Sequence, residues 1–358
     1  MIRRLDRAVF ESTGSLRAVA ILRAMVGAIA LLHLMPFLRA MKYGIYYADY
    51  FYVPYASWYP ELPRTAYFVA LSLCAVTAAM MTLGVLARAA TIYTAAFVTY
   101  NFLLSQTHFH HNRTFLVIVL CGLALLPSMQ LRGDSRGRLW PVYWLRFEHA
   151  VIYLASGFSK LIDPDWWGGA VTLKRVLWFQ PQMQKRGVPE WLIDVVSDPT
   201  VHYLFAKVAI VTELFIGIAL WFPRTRLMAI WVGIAFHIGI EIAASVQVFS
   251  YLCVAAMLLW VTPELGAHTA VVRTTSRGGR AMWWCLRWLD WLGRFRAETT
   301  SDPSAPVIEV DGERGSAAVF AVLVRCPALF FAACPASVVA HVLRWLRRDA
   351  SDASESSG

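Results

Sequence analysis

The sequence predicts an all-α, polytopic integral membrane protein: a bundle of about eight transmembrane helices with a small cytoplasmic tail. Three observations predict it. Hydrophobic residues make up 58% of the chain and charged residues only 16%, where a soluble domain carries about one-quarter charged residues. The apolar residues also come in uncharged runs. No Asp, Glu, Lys or Arg falls between Arg64 and Arg88, between Arg88 and Arg113, or between Glu241 and Glu264, and each run reaches the roughly 20 residues a helix needs to cross ~30 Å of hydrocarbon. Finally, Tyr and Trp crowd the connection from Met41 to Pro63, and such rings prefer the headgroup layer.

In chain order, the first apolar run lies near Leu16–Leu38. It follows MIRRLDR and lacks a small-residue cleavage site, so it reads as an anchor rather than a signal peptide. Further helices are predicted near Ala66–Ala87, Ala90–Thr107, Thr114–Ser128, Trp140–Leu161, Thr200–Phe222, Thr225–Ser245 and Val246–Pro263. Arg and Lys in short connections favour the cytoplasmic side. With the N-terminus inside, Arg3, Arg4, Arg7, Arg88, Arg132, Arg136, Arg138, Arg224 and Arg226 all fall inside. This makes a multi-pass cell membrane (inner or plasma membrane) protein with both termini cytoplasmic. The outside segment 162–199 holds Lys174, Arg175, Lys185 and Arg186, which argues the other way unless it folds into the interface. The aromatic connection 41–63 reads equally as a cap over the outer face or as an ordinary aromatic belt.

The formal net charge of +10 is spread over loops and termini. No basic stripe marks a nucleic-acid binder, and the lipid bilayer is the partner this balance suits. The six cysteines form no CxxC pair and suggest neither a disulfide framework nor a metal site. After Pro263 the composition changes. Residues 266–305 read as a linker with a Trp-rich, basic helix, AMWWCLRWLDWLGRFRA, lying on the membrane surface. Residues 306–348 read as an apolar tail and 349–358 as a disordered end.

Ionisable groups inside a bilayer are costly and mark function by default. Here the set is Arg146, Glu148, His149, Lys160, Lys207, Glu213, His237 and Glu241. Three signals converge on the outer side: Lys160 at the end of the fifth helix, His237 with Glu241 one turn further on the seventh, and the turn from His108 to Arg113. A lysine at a helix end usually snorkels to the headgroups. In the functional alternative, Lys160 faces inward and is desolvated, and its neutral amine acts as a general base. Ala155, Ser156 and Gly157 would permit the close packing this needs. His108, His110, His111, Asn112 and Arg113 suit a hydrogen-bonding cap better than a metal cluster, because no Glu or Cys stands nearby at ligand spacing; no metal is expected. His237 taken alone is more often a satisfied core histidine. Glu213 and Lys207 read as an intramembrane ion pair or as steps on a proton path, and Arg146, Glu148 and His149 look structural.

The string SGFSKLIDPDWWGG (156–169) resembles the lysine segment of the vitamin K-dependent gamma-carboxylase-like family, also called horizontally transferred transmembrane domain proteins. FHIGIEIAASVQVFSYLCVAAMLL and HHNRTFLVIVLCGLALLP resemble two further helices of that family, and the similarity covers roughly Leu5 to Pro263. The resemblance implies a membrane domain over residues 1–265 in which Lys160 is the base that deprotonates a reduced quinone of the vitamin K or menaquinol type. It also implies O2 and CO2 as co-substrates and places His237 near the same pocket. Ser159 stands where the carboxylase has the first lysine of a Lys-Lys pair. The carboxylase's large soluble domain has no counterpart, so carboxylation of a protein substrate is not expected. In residues 306–348, VIEVDGERGSAAVFAVLVRCPALFF resembles the C-terminal half of the thioredoxin-like DCC family without its dithiol motif; a plain helix pair is the alternative.

The leading expectation is thus an oxidoreductase or carboxylase-type enzyme acting on a quinol or other lipophilic substrate. Lys160 and His237 are its catalytic candidates, with His108, His111, Asn112, Arg113, Asp165, Trp166, Glu213 and Glu241 as substrate-binding candidates. The alternatives are a non-catalytic membrane partner or maturation factor for a secreted peptide, and a proton-coupled transporter.

Overall fold

The structure is a computed structural model that describes residues 10–43, 53–108, 111–127, 136–185, 187–244, 248–261, 268–290 and 293–326. It divides into two compact units, Met1–Thr262 and Pro263–Gly358.

In the first unit, helices stand where hydrophobic runs predict them: α1 (Arg17–Lys42), α2 (Arg64–Leu83), α3 (Ala87–Leu104), α4 (His111–Ala124) and α5 (Trp140–Ile162). Three short elements follow, α6 (Pro164–Trp167), α7 (Ala170–Lys185) and α8 (Glu190–Ser197). The unit closes with α9 (Pro199–Ala219), α10 (Pro223–Ala244) and α11 (Val248–Ala256), the last extended by a 3-10 turn, Met257–Trp260. Among the described residues four helices are long and apolar enough to cross a membrane, Arg17–Lys42, Arg64–Leu83, Pro199–Ala219 and Pro223–Ile242. This is fewer than the eight or so crossings expected. The shortfall has visible causes: Asn112–Ala124 and Val248–Trp260 are short, α3 is diluted by threonines and Asn101, and α5 carries Arg146, Glu148 and Lys160.

A small antiparallel ribbon, β1 (Thr13–Ser15) with β2 (Arg136–Arg138), ties the chain ahead of α1 to the chain ahead of α5. Those two helices therefore start at the same end of the bundle. The described part of the aromatic connection is pinned to the end of α3. Gln106 N donates to Val53 O at 2.7 Å, Leu62 N donates to the Tyr100 hydroxyl at 3.1 Å, and Tyr59 stacks on Tyr100. Residues 44–52 lie outside the described residues.

The contact that positions the site is between α5 and α9, whose packing depends on two glycines. A Cβ on Gly157 would fall 2.9 Å from the Leu214 side chain, and one on Gly217 would fall 2.7 Å from Leu154 and 3.2 Å from the Ala150 carbonyl. Matching residue 157 with 214 and residues 150–154 with 217 makes the helices antiparallel and offset. α9 runs past the end of α5 by roughly ten residues, about 15 Å at 1.5 Å per residue. The segment expected as an outer loop, 162–199, fills part of that step. Gly169 adopts φ +77° with no room for a Cβ against the His202 backbone, Thr172 Oγ1 donates to His202 O at 3.4 Å, and Lys207 Nζ donates to Trp167 O at 3.0 Å.

The second unit departs from the all-α expectation. Its four-stranded sheet has the order β4-β3-β5-β6, where β3 is His268–Arg273, β4 Phe295–Thr300, β5 Ile308–Val310 and β6 Glu313–Arg314. β3 and β4 are parallel and joined through α12 (Arg277–Leu289), and β5 runs antiparallel to β3. A further helix, α13 (Ser316–Arg325), joins α12 on one core with Ala270, Val272, Ile308 and Val310. Residues 266–305, expected as a linker and a membrane-surface helix, contain instead a β-α-β turn of this core. The sequence reading missed the strands because each is only six residues long and flanks a helix of far stronger periodicity. Of the expected tail, residues 327–358 lie outside the described residues.

If the two glycines set the helix spacing, Gly217→Val should destabilise the protein in detergent by about 1–3 kcal/mol, the usual cost of overpacking. Gly239→Ala, where an added Cβ meets nothing within 4 Å, should leave the melting temperature unchanged or slightly raised.

Candidate functional site

Helix α5 carries Arg146, His149, Tyr153, Ser156 and Lys160 at steps of three, four, three and four residues, which puts all five on one face. Close to the C-terminal end of that face, Lys160 meets Glu213 of α9. The ammonium donates to both carboxylate oxygens, at 2.8 and 2.6 Å, and to the Ser156 hydroxyl, which in turn donates to Glu213 Oε1 at 3.1 Å. The Lys160 side chain is 13% exposed and that of Glu213 8%. The amine therefore points into the bundle and not to the headgroups.

This pairing revises two expectations. Glu213 takes Lys160 and not Lys207, whose ammonium is bound to the Trp167 carbonyl and lies over the Tyr203 ring. The amine also does not stand alone: amine and carboxylate form one hydrogen-bonded unit.

The short helix α6 lays Trp166 across the pair. Lys160 Nζ sits 4.9 Å from the centroid of the indole ring, and the guanidinium of Arg175, from α7, sits 5.5 Å from the same ring. The ring is thus in contact with two cations, a cation–π arrangement that gains strength where water is scarce. Asp165 is exposed beside it.

Further along the same face of α5, the buried Tyr153 hydroxyl and His237 Nε2 of α10 are 2.7 Å apart, while His237 Nδ1 has no hydrogen-bond partner among the described residues. One turn on, His149 Nδ1 accepts from Trp260 Nε1 at 2.9 Å. Indole N–H can only donate, which fixes that histidine nitrogen as unprotonated. Beyond it, Arg146 Nε donates to Leu259 O at 2.6 Å and its guanidinium lies over the Trp260 ring. His149 and Arg146, which looked merely structural, are the continuation of the polar face that bears Lys160.

The predicted histidine turn forms a separate group, built from α1, α3 and α4. His108 is buried and donates through Nδ1 to Asn101 O at 2.7 Å. Arg113 donates to His108 O at 3.1 Å and covers the Phe37 ring. Asn112 is half-buried in the first turn of α4, and Glu241 is half-buried one turn beyond His237. Residues 109–110 and the side chain of His111 lie outside the described residues. Among the described residues no three His, Cys, Asp or Glu side chains converge as a metal site would require. Tyr153, Ser156, Arg175 and Trp260 were not anticipated. The heptad spacing of polar residues along α5 was the signal for the first two.

The match to a family model decides the identity. The HTTM domain model matches residues 15–264, which is nearly the whole first unit. The chain belongs to the HTTM domain family. HTTM domains occur in vitamin K-dependent carboxylase-related membrane proteins. No curated protein and no solved structure matches the chain.

A buried ion pair that loses one partner leaves an uncompensated charge. Lys160→Met and Glu213→Leu should each destabilise this HTTM protein by about 3–5 kcal/mol, and the double variant should recover most of the loss. A double-mutant cycle on thermal or denaturant unfolding measures the coupling.

Proposed function

We propose that this HTTM protein is a membrane-embedded enzyme that removes a proton from a lipid-soluble phenol or quinol, with the Lys160–Glu213 pair as its base. The observation that carries the reading is the pair itself: an amine and a carboxylate held within 2.8 Å, nearly dry, beside an aromatic face. Moving one proton from Lys160 to Glu213 leaves a neutral amine. That amine then takes a proton from an acidic hydroxyl, giving an ammonium and a substrate oxyanion beside a neutral carboxyl. Ser156 lies between the two groups and keeps the proton in a hydrogen bond throughout. Arg175 and the regenerated ammonium face the new negative charge.

A reduced quinone suits these residues, because the Trp166 ring offers a flat surface for a flat ring within reach of the base. When bound, such a group supplies an acidic hydroxyl and reducing electrons. The carboxylase resemblance implies O2 and CO2 as co-substrates. His237, through Tyr153, holds a place for a second proton on the same helix face.

The test is quinol consumption by the protein in nanodiscs under air, together with photolabelling by a photoreactive menaquinone analogue. Lys160→Ala and Glu213→Gln should lower turnover by about 10²–10⁴-fold, the usual contribution of a general base, and the label should map to Trp166. Retained turnover in folded Lys160→Ala protein would sink the proposal and favour a non-catalytic partner of secreted peptides.

One observation favours a second reading, proton movement through the bundle. The polar face of α5 spans fourteen residues, about 21 Å, from Lys160 to Arg146. Proteoliposomes loaded with a pH dye separate the two readings. Transport requires proton influx driven by a potassium diffusion potential and abolished by Tyr153→Phe, whereas the enzyme reading requires flux no greater than in empty vesicles.

A further inference from the structure

Two arginines come together at the end of α5 opposite Lys160. Arg146 is the seventh residue of α5 and Arg226 the fourth of α10. An edge-to-face indole pair joins them. The Trp221 and Trp260 rings lie 5.0 Å apart at 87°, the Arg146 guanidinium sits 5.6 Å from the Trp260 ring, and Arg226 Nη2 donates to Trp221 O at 3.4 Å. The two guanidinium charges are close enough to repel each other. Among the described residues no carboxylate pairs with either one. Glu148 stands two positions along the helix from Arg146 and so does not share its face.

Each arginine has a structural task. Arg146 Nε donates to Leu259 O at 2.6 Å and Arg226 Nε to Leu220 O at 2.9 Å, so both satisfy carbonyls near a helix end. That task does not use up the donors. A guanidinium carries five N–H groups. Arg146 spends one of them, and Arg226 two, on acceptors among the described residues. The remaining nitrogens are not sealed in the interior, in contrast to Nε and Nη2 of Arg23. Like charges held together with N–H groups open to the surface suit an oxyanion shared between them.

We propose that Arg146 and Arg226 together bind the phosphate of an anionic phospholipid. Phosphate oxygens match the planar fork of N–H groups that a guanidinium offers, and the phosphate charge offsets the repulsion within the pair. The neighbouring surface favours a lipid over free phosphate as the source. Trp221 and Phe222 are exposed next to Arg226, and an indole ring belongs at the boundary between headgroups and acyl chains. A headgroup with its own cation, such as choline, would bring a positive charge back to the pair, which selects the anionic class. The inference does not rest on the chemistry proposed at Lys160 and Glu213.

The test is native mass spectrometry of the full chain in detergent with phosphatidylglycerol or phosphatidylcholine added. A single phosphatidylglycerol should be retained more tightly than phosphatidylcholine. Arg146→Gln and Arg226→Gln should each weaken that retention by roughly tenfold, the loss of one charge-assisted hydrogen bond. Arg224→Gln, at an exposed arginine two residues from Arg226, should leave it unchanged. If a Gln variant fails to fold, the wild-type chain still decides. Phosphatidylglycerol should raise its melting temperature more than phosphatidylcholine does, and excess inorganic phosphate should not displace the bound lipid. Equal retention of the two lipids overturns the proposal, as do unweakened retention in folded Gln variants, an equal loss in Arg224→Gln, and displacement by inorganic phosphate.

Discussion

A lysine and a glutamate that would each be costly alone in hydrocarbon are affordable together, and the first unit is arranged around that fact. The pair forms only if α5 and α9 approach closely enough for Nζ to reach both carboxylate oxygens. The approach in turn requires glycine at 157 and 217. The same closeness brings the Ser156 hydroxyl into contact with both groups, and α6 sets the Trp166 ring against the ammonium. Helix packing and charge neutralisation therefore stand or fall as one. This is why a buried ion pair here says little about stability for its own sake and much about what the bundle is built to hold.

Most of the helical frame was legible in the sequence, because the period of the apolar residues and the lack of charge directly reflect the solvent each segment meets. Residues 64–83 and 199–219 are examples: long, uncharged or nearly so, and helical where predicted. Depth in the membrane was not legible. Lys160 sits two residues from the end of α5 and so looked like a boundary residue. Its partner Glu213 sits fourteen residues into α9, and only the offset between the two helices, set by side-chain fit at the glycines, reconciles the two positions. The second unit was hidden for another reason. Strands as short as Ile308–Val310 acquire their identity from pairing with β3, a contact across some forty residues that no local pattern announces.

The candidate site was partly legible. Lys160, Glu213 and Trp166 were singled out as residue types rare or functional in a bilayer, and the structure gathers them. His237 was singled out too, but its link to Lys160 runs through Tyr153, an aromatic residue that sequence reasoning treats as core. The His108–Arg113 group had the composition of a site, yet its contacts tie together α1, α3 and α4. A cluster of polar residues near a helix junction satisfies backbone carbonyls as readily as it binds ligands, and composition does not separate the two.

The stagger between α5 and α9 has a consequence for the surrounding lipid. Where one helix stops and its neighbour continues, the protein's hydrophobic girdle changes height along its circumference. Acyl chains next to the shorter wall must tilt or compress to follow it, and a bilayer strained in this way yields more readily to an inserting molecule. On the proposed reading, the step beside Trp166 is the side from which a ring diffusing in the leaflet would reach the Lys160–Glu213 pair.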